Sequence, residues 1–291
     1  MPATTFSPKQ VAIALGVSES SVKRWVDSGK LPAAKTAGGH RKVALPSIAR
    51  FLRETGHPVA QPELLGMVAS GVARPLDEAR DQLFEALVNG RESESRELVL
   101  GFYQQGESVP RLGDMLIGPV FRKIGEEWAA GRVQVYQERR SCEVMMAVLH
   151  ELRRWLPEPE PRAPLGLVGT PLRDFAEVPV RLVELTLLAQ GWRVTPVGSG
   201  LPLEEILDTT RAHSPLLLCL SATHLEHPED FLRKYQALLI DPLRESHPAV
   251  QHALGGGAVE RACGDRAPLG VRFTATLADL VAYLEELPAV A

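Results

Sequence analysis

A chain of 291 residues exceeds one ordinary small domain and implies two or three. Its 45% hydrophobic and 23% charged residues, with no apolar run approaching ~20 residues, describe a globular chain and exclude a membrane span. Cys142, Cys219 and Cys263 are widely spaced, which excludes a disulfide framework and a zinc-ligand pattern and leaves buried free thiols as the simplest reading. The opening Met1 to Lys9 is short and polar, unlike a secretory signal, so a cytoplasmic protein is expected.

The net charge of −4 hides a segregation. Residues 1–56 hold nine Lys and Arg against three acids, a balance of +6, and the remainder carries −10. A small basic head on an acidic body is the electrostatic footprint of a DNA reader, because phosphate contacts supply most of the affinity.

Ser7-Pro8 opens a helix well: Ser accepts from free amides as N-cap, and Pro at the first helical position loses no hydrogen bond. Val11, Ala12 and Leu15 form its apolar face, and Gly16 ends it. Ser18 caps a second helix, Glu19 to Ser28, with Val22, Trp25 and Val26 inward and Ser20, Lys23, Arg24 and Asp27 outward. Two short helices around a glycine turn make a helix-turn-helix whose second helix enters the major groove, bringing Ser20, Lys23 and Arg24 to the DNA. Lys30, Leu31 and Pro32 lead into residues 35–42, strand-capable ends around a Gly-Gly tip that read as a β-hairpin wing. Lys35, Thr36, His40, Arg41 and Lys42 arm it, and a short helix, Pro46 to Glu54, follows.

Residues 57–75 read as a linker with one short helix. Residues 76–156 lack strand-like alternation and space apolar residues helically, as in Leu83 and Leu87 or Leu98 and Phe102, which predicts a helical bundle. Pro157, Pro159 and Pro161 make residues 157–162 a stiff linker. Residues 163–291 alternate strands (165–169, 193–197, 216–221, 253–254) with helices (178–190, 203–213, 228–239, 277–287), the pattern of a parallel sheet covered on both faces. The fold class is therefore multidomain α and α/β: a winged helix-turn-helix, a helical cap and a Rossmann-like domain.

Three stretches resemble known families. The head, with its Gly38-Gly39-His40-Arg41 wing, resembles the MerR and excisionase-like winged helices. The stretch Trp128 to Ser141 is similar to the four-helix cap of cobalamin-binding modules, in which a Trp and a Glu-His pair sit over the corrin; Trp128, Val135 and Glu138 match, and Arg139 stands where the family has His. Helical spacing puts Val135, Glu138 and Cys142 on one stripe. In the α/β segment the family's Asp-x-His-x-x-Gly motif falls on Asp174, Ala176 and Pro179. Ser221-Ala-Thr223 and Gly255-Gly256 fall where the family lines the nucleotide tail. The whole order resembles the CarH/LitR class of light-sensing repressors.

Alanine offers cobalt no lone pair, so the resemblance implies a cobalamin-type sensor without the His-ligated mode. Pro179 is expected to stiffen the loop that cradles the tail. A bilin, haem or base-on cobalamin remain as cofactors, with His224 and His227 at the strand ends as candidate contacts and Cys142 as a candidate tether. Any visible chromophore comes from outside the chain, since Trp and Tyr absorb only in the ultraviolet. Expected partners are double-stranded promoter DNA and a second copy of the chain, as a homodimer or tetramer, because so small a head needs a second half-site. No catalytic triad, paired acids or metal-ligand set stands out, so no enzyme is expected. Gly255-Gly256-Gly257 lacks the Lys and Ser/Thr of a phosphate loop. A corrinoid carrier for methyl transfer and a protein-docking scaffold are the competing readings; the missing imidazole at 176 weighs against the first and the +6 head against the second.

Overall fold

The structure, a computed structural model, describes residues 4–68, 75–259 and 270–288. Cys263 lies outside them. The chain divides into two compact units, residues 1–108 with 115–157, and residues 109–114 with 158–291.

The first unit opens with β1 (Thr5–Phe6) and α1 (Pro8–Leu15). Ser7 accepts from the Gln10 amide while the Gln10 side chain accepts from the Ser7 amide, a capping box that fixes the first turn. Gly16 closes α1 at φ +68, and a Cβ there would press on Ala60 at 2.9 Å. Helix α2 (Glu19–Asp27) is capped by Ser18, which accepts from the Ser21 amide. Strands β2 (Ala34–Lys35) and β3 (Arg41–Ala44) form the wing, and β1 adds to the other edge of β3, with Phe6 opposite Val43 and Lys35 opposite Arg41. Helix α3 (Leu45–Thr55) follows. Val11, Ala14, Val22, Leu31, Val43, Ile48 and Phe51 are buried, and Trp25 packs on Phe51 with ring centroids 4.8 Å apart.

Residues 57–68 are built in rather than trailing. The amides of Ala60 and Gln61 both donate to the Ala14 carbonyl, residues Pro62–Leu65 form a 3-10 turn, and Leu65 and Val68 are buried. The head then rests on the bundle of α4 (Leu76–Val88), α5 (Glu92–Gln104), α7 (Gly118–Ala129) and α8 (Val135–Arg153). The Arg53 guanidinium lies 4.9 Å over the Tyr103 ring, and Tyr103 itself donates to the Trp155 carbonyl. Arg154 donates to Thr4 Oγ1 at 2.9 Å, and Arg96 bridges the Gly66 carbonyl and both oxygens of Glu151. Leu83, Leu87, Val99, Ile124, Met145 and Leu149 fill the bundle core.

The second unit takes the short helix α6 (Val109–Leu112) and Asp114, whose carboxylate accepts from the Leu277 and Ala278 amides at the start of the last helix. Its sheet holds β4 (Leu165–Pro171), β5 (Arg193–Leu201), β6 (Leu217–Ser221), β7 (Gln251–Gly255) and β8 (Val271–Thr274). All strands run parallel, in the order β5-β4-β6-β7-β8. Helices α9 (Glu177–Ala189), α10 (Leu203–His213), α11 (Pro228–Tyr235), α12 (Asp241–Ser246) and α13 (Leu277–Glu286) connect and cover them. A π-helical turn, Gln236–Ile240, interrupts what the periodicity presents as one helix over 228–239. One apolar cluster centres on Leu167, Leu218, Leu220, Tyr235 and Leu254, the other on Val168, Leu187, Trp192, Cys219 and Ala253, so alternate residues of each strand feed opposite faces. Among the described residues no helix is long and apolar enough to cross a membrane.

His252 on β7 is 5% exposed, and among the described residues its Nδ1 has no hydrogen-bond partner. Burial, aided by the Arg244 charge, pushes its imidazole down to about 4. An unfolded histidine takes up a proton near its ordinary 6.5 while the folded one resists until about 4, so folding stability falls as pH drops through that window. The loss from this residue reaches up to about 3 kcal/mol. Urea denaturation of wild type and His252→Leu across pH 7 to 4 should show a steeper acid loss in the wild type; parallel curves would contradict the assignment.

Candidate functional site

In the head, Ser20, Lys23, Arg24 and Asp27 are exposed along α2, and Lys30, Lys35, Thr36 and His40 are exposed around the wing. Arg41 and Lys42, at the root of β3, are half-buried. The hairpin closes through the Thr36 amide donating to the His40 carbonyl, with Gly39 at φ +77, a conformation that favours glycine. Several of these side chains are already oriented by neighbours. Lys23 pairs with Glu19 one turn back at 2.9 Å, Arg24 reaches Ser21 Oγ at 3.3 Å, and Arg41 pairs with Asp27 at 2.6 Å. The predicted DNA-facing residues thus lie on one small module whose caps and hairpin are specified locally.

On the bundle, Trp128 at the end of α7 is 50% exposed, and Val135 and Tyr136 at the start of α8 are exposed too. Glu138 is a hub: Cys142 Sγ donates to one of its oxygens at 3.5 Å, and Arg139 Nε lies 3.5 Å from the other. Val135, Glu138 and Cys142 therefore share the stripe that helical spacing predicts. The next residue, Arg140, serves the bundle itself. Its guanidinium donates to the Val88 carbonyl at the end of α4 and fills the space left by Gly90.

In the α/β unit the chain leaves β4 for β5 on one side and then returns to β6 on the other, so the order reverses between β4 and β6. Ligands of doubly wound sheets bind outside the strand ends at such a reversal. Here Asp174, 1% exposed, spans the two loops. One carboxylate oxygen accepts from the Ala176 amide at 3.0 Å, and the other accepts from the amides of Thr223 and, at 3.1 Å, His224. Thr170 Oγ1 donates to the Asp174 carbonyl and accepts from the Gly200 amide, tying in the end of β5.

The glycines at this edge serve close approach within the chain. A Cβ on Gly256, at φ +101, would collide with the Ala222 backbone, and one on Gly255 would meet the Thr274 carbonyl at 2.8 Å. Ser221 is buried, while Thr223, His224 and His227 are exposed loop residues. Phe175, 66% exposed, lays its ring against Gly200, and Leu172 is exposed two residues before the buried carboxylate. Sequence reading passed over both; the signal was a pair of apolar residues in a loop with no strand or helix period.

The residues here do not fit a corrinoid ligated from position 176. Position 176 carries a methyl group, its amide is spent on Asp174, and the Asp174 acceptors are spent on backbone. One expectation needs correcting. Pro179 sits in the first turn of α9 rather than in the loop, where helical amides lack partners in any case, so it stiffens no cradle and costs no hydrogen bond.

A basic winged helix on a helical bundle, followed by a parallel α/β domain, has the architecture of a helix-turn-helix head on a B12-binding-type body. Residues 5–56 match the family described as Helix-turn-helix domain, and residues 79–153 match the B12 binding domain. Over 293 aligned positions, covering 97% of each chain, the protein is 24% identical to the HTH-type transcriptional repressor CarA of Myxococcus xanthus. It shares its fold with the monomethylamine corrinoid protein of Methanosarcina barkeri, at a TM-score of 0.59 and 20% identity over 74% of this chain and the whole of the other.

Replacing Asp174 with Ala strands three backbone donors in a buried site, which should cost about 2–4 kcal/mol. Asp174→Asn keeps one acceptor and should cost less. Thermal melts of the two variants test this; equal, small shifts would mean the carboxylate does not hold the loops.

Proposed function

We propose that this protein is a transcriptional repressor. It binds promoter DNA through α2 and the wing, and its body senses a ligand without a metal-ligating imidazole at position 176. The observation that carries the reading is a head with an exposed cationic face joined, in one compact unit, to a bundle matching the B12 binding domain. The likeness to a repressor along the whole chain supports it further.

The ligand class follows from the α/β edge. With Ala at position 176, a corrinoid would find no imidazole there and would rely on its own nitrogen base, while a bilin or haem would take support from stacking, hydrogen bonds and the exposed His224 and His227. Trp128, Val135, Glu138, Arg139 and Cys142 are the proposed contacts on the bundle. Ser221, Thr223, His224, Gly255 and Gly256 are those on the α/β unit, where Asp174, its acceptors taken by backbone amides, holds the loops that carry them. Self-association as a dimer or tetramer pairs two heads on two half-sites. The corrinoid-carrier alternative is weaker, because methyl carriage calls for a lower ligand that comes on and off cobalt.

Two measurements test the reading. Footprinting on the protein's own promoter should show a protected site, and Arg24→Ala should weaken binding about tenfold, within the 1–3 kcal/mol of a base or phosphate contact. No selective protection would refute the regulator. Incubation with adenosylcobalamin, haem or biliverdin, followed by desalting, should leave a visible band for one of them. In the corrinoid case, ¹⁵N-histidine labelling should leave the Co(II) EPR spectrum unchanged, and a histidine coupling would overturn the proposed mode.

A further inference from the structure

The last residue of α2 and the first of β3 face each other across the head. Arg41 Nη2 lies 2.6 Å from Asp27 Oδ1, with the two side chains 35% and 59% exposed. Lys23 and Arg24 find their neighbours on their own helix, at Glu19 and Ser21. The Asp27–Arg41 pair instead joins two elements. Arg41 is anchored by its backbone, since β3 pairs with β1 on one edge and, through Lys35, with β2 on the other. Asp27 is anchored as the end of a capped helix.

A carboxylate on a face that meets phosphates repels them and cancels one of the head's nine cations. Its position has a physical use. An unpaired guanidinium on an exposed wing binds any phosphate, whatever the sequence, whereas one held against the protein leaves only when a docked site offers better partners. We infer that Asp27 is a specificity-determining residue of the DNA-reading face: it holds Arg41 on the protein, so that α2 and the wing meet DNA as one preset surface and indiscriminate phosphate binding is held down. This rests on the DNA-binding reading above and adds to it a residue whose charge alone argues against contact with DNA.

The test uses the full-length protein in fluorescence-anisotropy titrations from 50 to 200 mM salt. The probes are the footprinted promoter duplex and a scrambled duplex of equal length. Wild type is compared with Asp27→Asn, Asp27→Ser, Arg41→Ala and the double variant Asp27→Asn/Arg41→Ala. Freeing Arg41 adds one phosphate contact on the scrambled duplex, steepening its salt slope by about 0.9 and tightening binding about eightfold at 0.1 M salt. The gain on the scrambled duplex should exceed that on the promoter at least threefold, with both Asp27 substitutions agreeing, and should vanish in the double variant.

An equal gain on both duplexes, a gain that persists without Arg41, or no gain would overturn the inference while leaving DNA binding intact. Wild type that binds neither duplex would overturn the DNA-binding reading and this inference together.

Discussion

A buried carboxylate holds together the part of the α/β unit where a ligand of this fold would rest. Asp174 follows β4, and its acceptors are the destinations of amides at 176, 223 and 224. A doubly wound sheet places a gap at its reversal, and backbone amides lining that gap need partners whether or not a ligand comes. Charge-assisted bonds to one carboxylate meet the need internally and are stronger than neutral ones. The loop conformation that results has Arg173 at φ +68, paired with Glu226, and leaves Phe175 and Leu172 turned outward. This edge presents apolar surface beside the exposed Thr223, His224 and His227, with no imidazole at position 176.

The head follows a different logic, because almost everything that shapes it is local. Ser7, Pro8, Gly16 and Ser18 set the ends of two helices within twelve residues, and each does so through its own backbone or side-chain preference. That is why the helix-turn-helix, the wing and the alternating α/β pattern were legible from sequence. Helix α10 keeps the end residues read from the sequence, with Pro202 before it and Ser214 in the left-handed conformation after it.

What was not legible depends on residues far apart in the chain. Asp174 could be seen to survive from a family motif, but not to reach amides some fifty residues on. Arg41 reads as one more wing cation until Asp27 is found beside it. Residues 57–68 read as linker because their composition says so, although the Ala14 carbonyl and the bundle claim them. Strand β8 is four residues long, and only its pairing with β7 makes it a strand. Pro179 was misjudged because its cost depends on whether it falls before or after the start of a helix.

The stacking of Arg53 on Tyr103 bears on how such a chain is taken apart. A sensor fragment begun at residue 76 discards Leu65 and Val68, the partners of Arg154 and Arg96 at Thr4 and Gly66, and the cation over Tyr103. It bares aromatic and aliphatic surface that the intact chain covers. Self-association of such a fragment would then report a cut edge as readily as a native assembly. Hydrodynamic or calorimetric work on this architecture is best done on the whole polypeptide, with the head silenced by substitution on its DNA face instead of by deletion.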